Sequence, residues 1–235
     1  MSVLLMSRDR AARPPVEQIL VYATAIGEIR EARLPDGSRL ILDSASRVQA
    51  KFTEAERGLA LLEGRARFDV AHQARPFVVR AGSTRVVATE TLFDVSLIGG
   101  RLAVLLIEGS VQVRSLDAPA RSEAARLEPG QKLVIAASGP LVRRPAERGE
   151  TMWPNRMLEF DGMPLSDAAA LANRYSRAQL VLGDRRIGSL RVTGAFRAGD
   201  IEGFARSLAA TFDLRLETQP DGDLLLVDPK RSAPS

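Results

Sequence analysis

The chain has 235 residues, 45% of them hydrophobic and 26% charged, enough to bury a substantial core as one large domain or two small ones. The net charge of +4 is small for that length, and the 33 basic residues, nearly all arginine, are scattered rather than gathered on one face, which argues against nucleic-acid binding. There is no cysteine, which excludes disulfides, thiolate catalysis and cysteine metal sites, and no apolar run approaches the roughly 18–20 residues that span a bilayer.

Residues 1–15, ending in RDRAARPP, read as a flexible leader with no face to bury. From 16 to 142 strand follows strand. The turn Pro35-Asp36-Gly37-Ser38 opens a series of hairpins, and Leu40 and Leu42 alternate behind it. In GRARFDV, Ala66, Phe68 and Val70 face one way while Arg65, Arg67 and Asp69 face the other, the period of a half-buried strand. Gly64, Gly82, Gly99-Gly100, Gly109 and Pro129-Gly130 read as turns between such strands. Leu102–Ile107 is apolar on both faces and belongs in a central position. Phe68, Phe77 and Phe93 are expected to form one aromatic layer. The pattern predicts a β-sandwich or solenoid-like stack of hairpins.

Residues 143–156, charged and twice interrupted by proline, read as a linker carrying Trp153. From 157 to 228 the pattern becomes strand, helix, strand, then strand, helix, strand, strand. Pro164 precedes a helix with Leu165, Ala168, Ala169, Ala172 and Tyr175 on one face. Asp200 is placed to cap a second helix, with Ile201, Phe204, Leu208 and Phe212 as its apolar stripe. LRLETQ and DLLLVD close the domain as a hairpin. The fold class is therefore mainly β with a C-terminal α+β domain, a small βαβ–βαββ unit, and residues 229–235 are expected to be a disordered tail.

Catalytic chemistry is hard to assemble from these residues. The sole histidine, His72, stands just past a strand with no nucleophile elbow anywhere in the chain. Asp69 and Asp94, its nearest metal-ligand companions, are expected to point outward from separate strands. Glu63, Glu90 and Glu108 could meet only by convergence in space, and two of them precede turn glycines. Phosphate-loop and calcium-loop spacings are absent. The reading is a non-enzyme with no catalytic residue, no metal and no cofactor.

Several ordered motifs carry a resemblance. LPDGSRLILDSAS, RGLALLEGRARFDV, RPFVVRAG, TLFDV, LIEGSVQVRS and LEPGQKL resemble, in order, the periplasmic FecR domain of transmembrane sigma-factor regulators, the anti-sigma factors of cell-surface signalling. LEFDGMPLSDAAALANRY and RVTGAFRAGDIEGF are similar to that family's C-terminal region, which resembles the secretin/TonB short N-terminal (STN) domain. Two positions depart from the family pattern. Arg65 stands where the family usually has Glu after Gly64. Glu90 stands where it tends to have a turn glycine, which puts a residue that resists positive φ at that turn.

The resemblance implies a periplasmic relay with no catalytic role. It would sense the signalling domain of a TonB-dependent outer-membrane transporter loaded with a ferric siderophore or similar substrate. It would act on a sigma factor only through a cytoplasmic segment, and on the membrane only through a transmembrane helix, both missing here. The candidate partner-binding residues are Leu214, Leu216, Leu224 and Leu226, on strands that could accept a partner strand at a sheet edge. The alternative is a stand-alone envelope scaffold or carbohydrate-binding β-module, which 5% aromatic content does not favour.

Overall fold

The computed structural model describes residues 19–117, 124–135 and 141–229, so the expected leader and all but the first residue of the expected tail lie outside the described residues. Five strands come first: β1 (Ile19–Ala23), β2 (Arg30–Arg33), β3 (Arg39–Leu42), β4 (Arg47–Phe52) and β5 (Arg57–Asp69). Next come β6 (Phe77–Ala81), β7 (Thr84–Ala88), β8 (Leu92–Ile98), β9 (Arg101–Glu108) and β10 (Val111–Ser115). The β-rich domain closes with β11 (Ala125–Leu127), β12 (Gln131–Ile135) and β13 (Leu141–Pro145).

All thirteen strands belong to one curled sheet whose two halves face each other across a single core. The 13-residue β5 joins the halves. Its first part pairs with β4 and with β6, the latter in parallel, and its second part pairs with β3 and β8. Sequence reading had Gly64 as a turn; it lies inside β5 instead. The strand bends there, past a bulge that leaves Leu62 between the pairs Val48–Leu61 and Arg47–Glu63. Gly64 has φ 83°, and a Cβ on it would come within 2.2 Å of Ser46 Oγ, so only glycine lets the strand turn from one layer into the other.

Alternation decides which residues fill the core. Leu40, Leu42, Val48, Leu59, Leu61, Val79, Val95, Val104 and Leu133 all point inward. The expected aromatic layer forms: the Phe68 ring stacks on Phe93 at 5.2 Å and meets Phe77 edge-on at 5.8 Å. At one end of the core lies a buried charge. Asp36, in the opening turn, accepts from Ser38 N–H and Oγ, and its Oδ2 lies 3.0 Å from the fully buried Arg57 guanidinium on β5. Arg57 also donates to the Arg75 and Ala71 carbonyls, so that turn is fastened to the middle of the sheet.

The segment expected as a linker is partly built into the sheet. Arg143–Pro145 finish β13, which pairs with β12, and two 3-10 turns, Arg148–Thr151 and Trp153–Asn155, follow. Glu150 accepts from Arg144 and Lys132, pinning the first turn to β12 and β13.

The C-terminal domain has its own core and runs β14 (Met157–Pro164), α1 (Leu165–Asn173), β15 (Leu180–Leu182), α2 (Arg185–Ser189), β16 (Arg191–Arg197), α3 (Ile201–Phe212), β17 (Arg215–Thr218) and β18 (Leu224–Val227). Expected strands and helices are present, with Asp200 capping α3 by accepting from Gly203 N–H at 2.9 Å. The short α2 was not foreseen; Asp184 caps it through the Arg186 and Ile187 amides. The strands also separate into two groups, β14 with β16 and the three-stranded order β15–β18–β17. Phe160, Phe196 and Phe204 cluster between β14, β16 and α3, with centroids 4.7–5.8 Å apart.

Candidate functional site at the domain junction

The residues with the most concentrated chemistry lie where the two domains meet. β3 ends at Leu42, and the tight turn that follows, with Ala45 at φ 49°, buries Asp43 completely. Asp43 Oδ2 accepts from Arg65 Nε at 2.8 Å, Arg174 Nη2 at 3.1 Å and the Tyr175 hydroxyl at 3.1 Å. Arg65 comes from β5, whereas Arg174 and Tyr175 close the end of α1, so this carboxylate ties the two domains together. Arg65 Nη2 also donates to the Tyr175 hydroxyl at 2.8 Å. Burial, followed by the neighbouring Asp43 charge, pushes the Tyr175 phenol up to about 12, against the opposing pull of Arg65 and Arg174.

Main-chain contacts reinforce the joint. Ser44 Oγ donates to the Arg174 carbonyl and accepts from Gly27 N–H. Gly27, at φ 79°, lies so close to the second domain that a Cβ would sit 2.8 Å from the Tyr175 carbonyl oxygen.

A second hub adjoins the first. Asp94 was expected to face solvent from its strand. It does leave the core side of β8, but the connector covers it, and it is 4% exposed. It takes a bidentate pair from Arg67, directly opposite on β5, at 2.6 and 3.0 Å, and accepts from Trp153 Nε1 at 2.8 Å. The Arg65 guanidinium lies 4.5 Å from the Trp153 ring and that of Arg67 5.5 Å from it. Asp43, Arg65, Trp153, Arg67 and Asp94 thus form a continuous row, one indole ring between two largely buried arginine–aspartate pairs. Trp153 packs against the β-rich domain as an anchor for the connector.

Sequence reasoning missed this row because Arg65 and Arg67 looked like solvated outward positions of an alternating strand. One signal was visible: Arg65 is one of the two positions that depart from the resembled pattern, and it occupies the centre of the junction.

The other candidates fall elsewhere. His72 is exposed and lies 3.1 Å from Glu90, which holds the positive φ of 48° that its glycine-favouring position demands. Asp69 is half-exposed and pairs with Arg39, and Glu63 with Arg47. Among the described residues no group of three or more His, Cys, Asp or Glu side chains is placed to hold a metal.

The four leucines named from sequence lie on the β17–β18 hairpin and just before it. Leu224 and Leu226 are buried on the middle strand of its sheet, and Leu214 and Leu216 are partly buried against the same core. The main chain here is more open than these side chains. Leu224 N–H donates to the Gln179 carbonyl and Gly183 N–H to the Leu226 carbonyl, so residues 224 and 226 bond toward β15. Leu225 and Val227 therefore face β17, where Glu217 and Arg215 oppose them. Leu216 and Thr218 are left with N–H and C=O directed away from the sheet, along an edge that no described strand covers.

Residues 21–112 match the family model described as FecR protein. Two crystal structures of a candidate anti-sigma factor from Parabacteroides distasonis ATCC 8503 share the fold. Each has a TM-score of 0.74 at 20% identity, and the matches cover 90% and 89% of this chain and 99% of those chains. No curated protein matches the chain.

Proposed function

With a FecR-family segment over residues 21–112 as the premise, we propose that this protein is the periplasmic part of a sigma-factor regulator, a relay that works by presenting surface. The observation that carries the reading is that match, seated on a two-domain fold shared with a candidate anti-sigma factor. The geometry supports it: the richest cluster of charged groups is spent on joining domains, with its carboxylates already engaged by arginines. No helix among the described residues is long and apolar enough to cross a membrane.

In this reading the incoming signal is the signalling domain of a TonB-dependent outer-membrane transporter, and iron–siderophore uptake is the process reported. The receiving surface is the β17 edge, where a partner strand adds to Leu216 and Thr218 by main-chain bonds while Leu214, Leu216, Leu224 and Leu226 hold the sheet in shape from behind. The outgoing signal reaches the sigma factor through a cytoplasmic segment outside this chain.

The test is calorimetric titration of the full chain with a purified transporter signalling domain. Thr218→Pro removes an outward donor without touching the β17–β18 ladder and should weaken binding at least about tenfold. Binding that survives Thr218→Pro, yet is lost on substitution in the β-rich domain, would move the receiving surface away from this edge.

A further inference from the structure

The outer face of the sheet half containing β1, β4, β5, β6, β7, β10 and β11 bears an arrangement that the junction and the β17 edge leave unused. In register, Arg80 on β6 stands directly opposite Arg85 on β7, and Arg85 directly opposite Arg114 on β10. Arg126 on β11 follows one row away, opposite Gln112. Strands lie about 4.8 Å apart, so three guanidinium groups start from a line only about 10 Å long. Like charges placed directly opposite one another in a sheet destabilise it. Glu56 relieves part of this, at 2.8 Å from Arg80 and 3.7 Å from Arg85. Arg114 and Arg126 are exposed and have no ion pair among the described residues.

Along one row of the same face, uncharged residues separate the arginines from the outermost strand. Arg80 is opposed on β5 by Ala60, which is opposed on β4 by Gln49, and that by Val21 on β1. Val21 and its neighbour Ile19 are 56% and 57% exposed on this outward side. A row of arginines and two exposed aliphatics on one sheet face suit an extended anionic plane better than a discrete ligand.

We infer that this face docks on an anionic phospholipid surface, the arginines lying among headgroup phosphates and Ile19 and Val21 meeting the acyl boundary. The inference goes beyond the relay reading and is measured without a transporter domain. The full chain is sedimented with vesicles of phosphatidylglycerol and, separately, of phosphatidylcholine. It should bind the first and not the second, and release as salt is raised. Arg85→Gln with Arg114→Gln should lower partitioning about 10- to 30-fold, since each basic residue near such a surface contributes roughly a fivefold factor. Arg30→Gln with Arg33→Gln, on β2 in the other half of the sheet, should leave it within about twofold. Arg114→Gln alone, confirmed folded by circular dichroism, should give an intermediate loss. Failure to bind phosphatidylglycerol, equal binding to both lipids, an equal loss in the β2 variant, or capture of an acidic protein without vesicle binding would each overturn the assignment.

Discussion

Replacing Asp43 by alanine tests the junction most directly. The substitution removes the one carboxylate that faces Arg65, Arg174 and the Tyr175 hydroxyl. Asp43 is fully buried, and the two arginine side chains are only 14% and 19% exposed, so water cannot replace it freely. Breaking a buried ion pair from one side costs about 3–5 kcal/mol, because the remaining charge stays desolvated without compensation. Trp153 is the sole tryptophan and sits against Arg65, so its fluorescence reports this joint specifically, while far-ultraviolet circular dichroism follows both domains. With a urea m-value near 3 kcal/mol/M, the fluorescence midpoint should fall by about 1 to 1.7 M. Asp43→Ala combined with Arg65→Met should recover part of the loss, since one of the two stranded cations is gone. A fluorescence midpoint within about 0.3 M of the parent, the equivalent of roughly 1 kcal/mol, would refute the reasoning.

Three further outcomes follow from the geometry. Tyr175, pushed to about 12 by burial and then by Asp43, holds its proton more tightly folded than unfolded; its contribution is complete below pH 10 and fades as pH rises toward 12, so tyrosinate absorbance should show a late step that Tyr175→Phe removes. Glu150 is the opposite case: burial alone would raise its pKa, but hydrogen bonds from Arg144 and Lys132 outweigh burial and hold it below the usual 4.5. Its contribution is present above pH 4.5 and lost as pH falls through the lowered value, so Glu150→Gln should cost about 1–2 kcal/mol at neutral pH and progressively less in acid, followed by urea unfolding at each pH. Glu90→Gly should raise stability by about 0.5–1 kcal/mol in thermal melts, because the residue holds φ 48° and its exposed pairing with His72 contributes little; a lowered Tm would show that the turn depends on the glutamate.

Much of the fold was legible because period-two alternation maps directly onto a two-faced sheet. Phe68, Phe77 and Phe93 were placed in one layer from alternation alone, and Asp200 was recognised as a cap from its position before an apolar stripe. What stayed hidden depends on contacts distant in sequence. Gly64 reads as a turn in any local window, since positive φ is equally the mark of a bend inside a long strand. The β5–β6 pairing is parallel, so no hairpin signal announces it. Arg65, Arg67 and Asp94 obey the outward half of the alternation; that outward meant buried depended on a connector arriving from about 60 residues away to cover Asp94 with Trp153. Leu224 and Leu226 were correctly seen as a strand face, but whether that strand was central or terminal required knowing that β15 joins it in parallel.

The continuous β5 has a mechanical consequence. A strand flanked along its length by four different neighbours cannot be withdrawn from one layer while the other stays intact. Among the described strands, tension from the amino-terminal side reaches β1 first, which pairs with β4 alone of them, over five residue pairs. That outermost strand should therefore peel away before the body of the domain yields, acting as a fuse that exposes new backbone to a protease and leaves the sheet behind it standing.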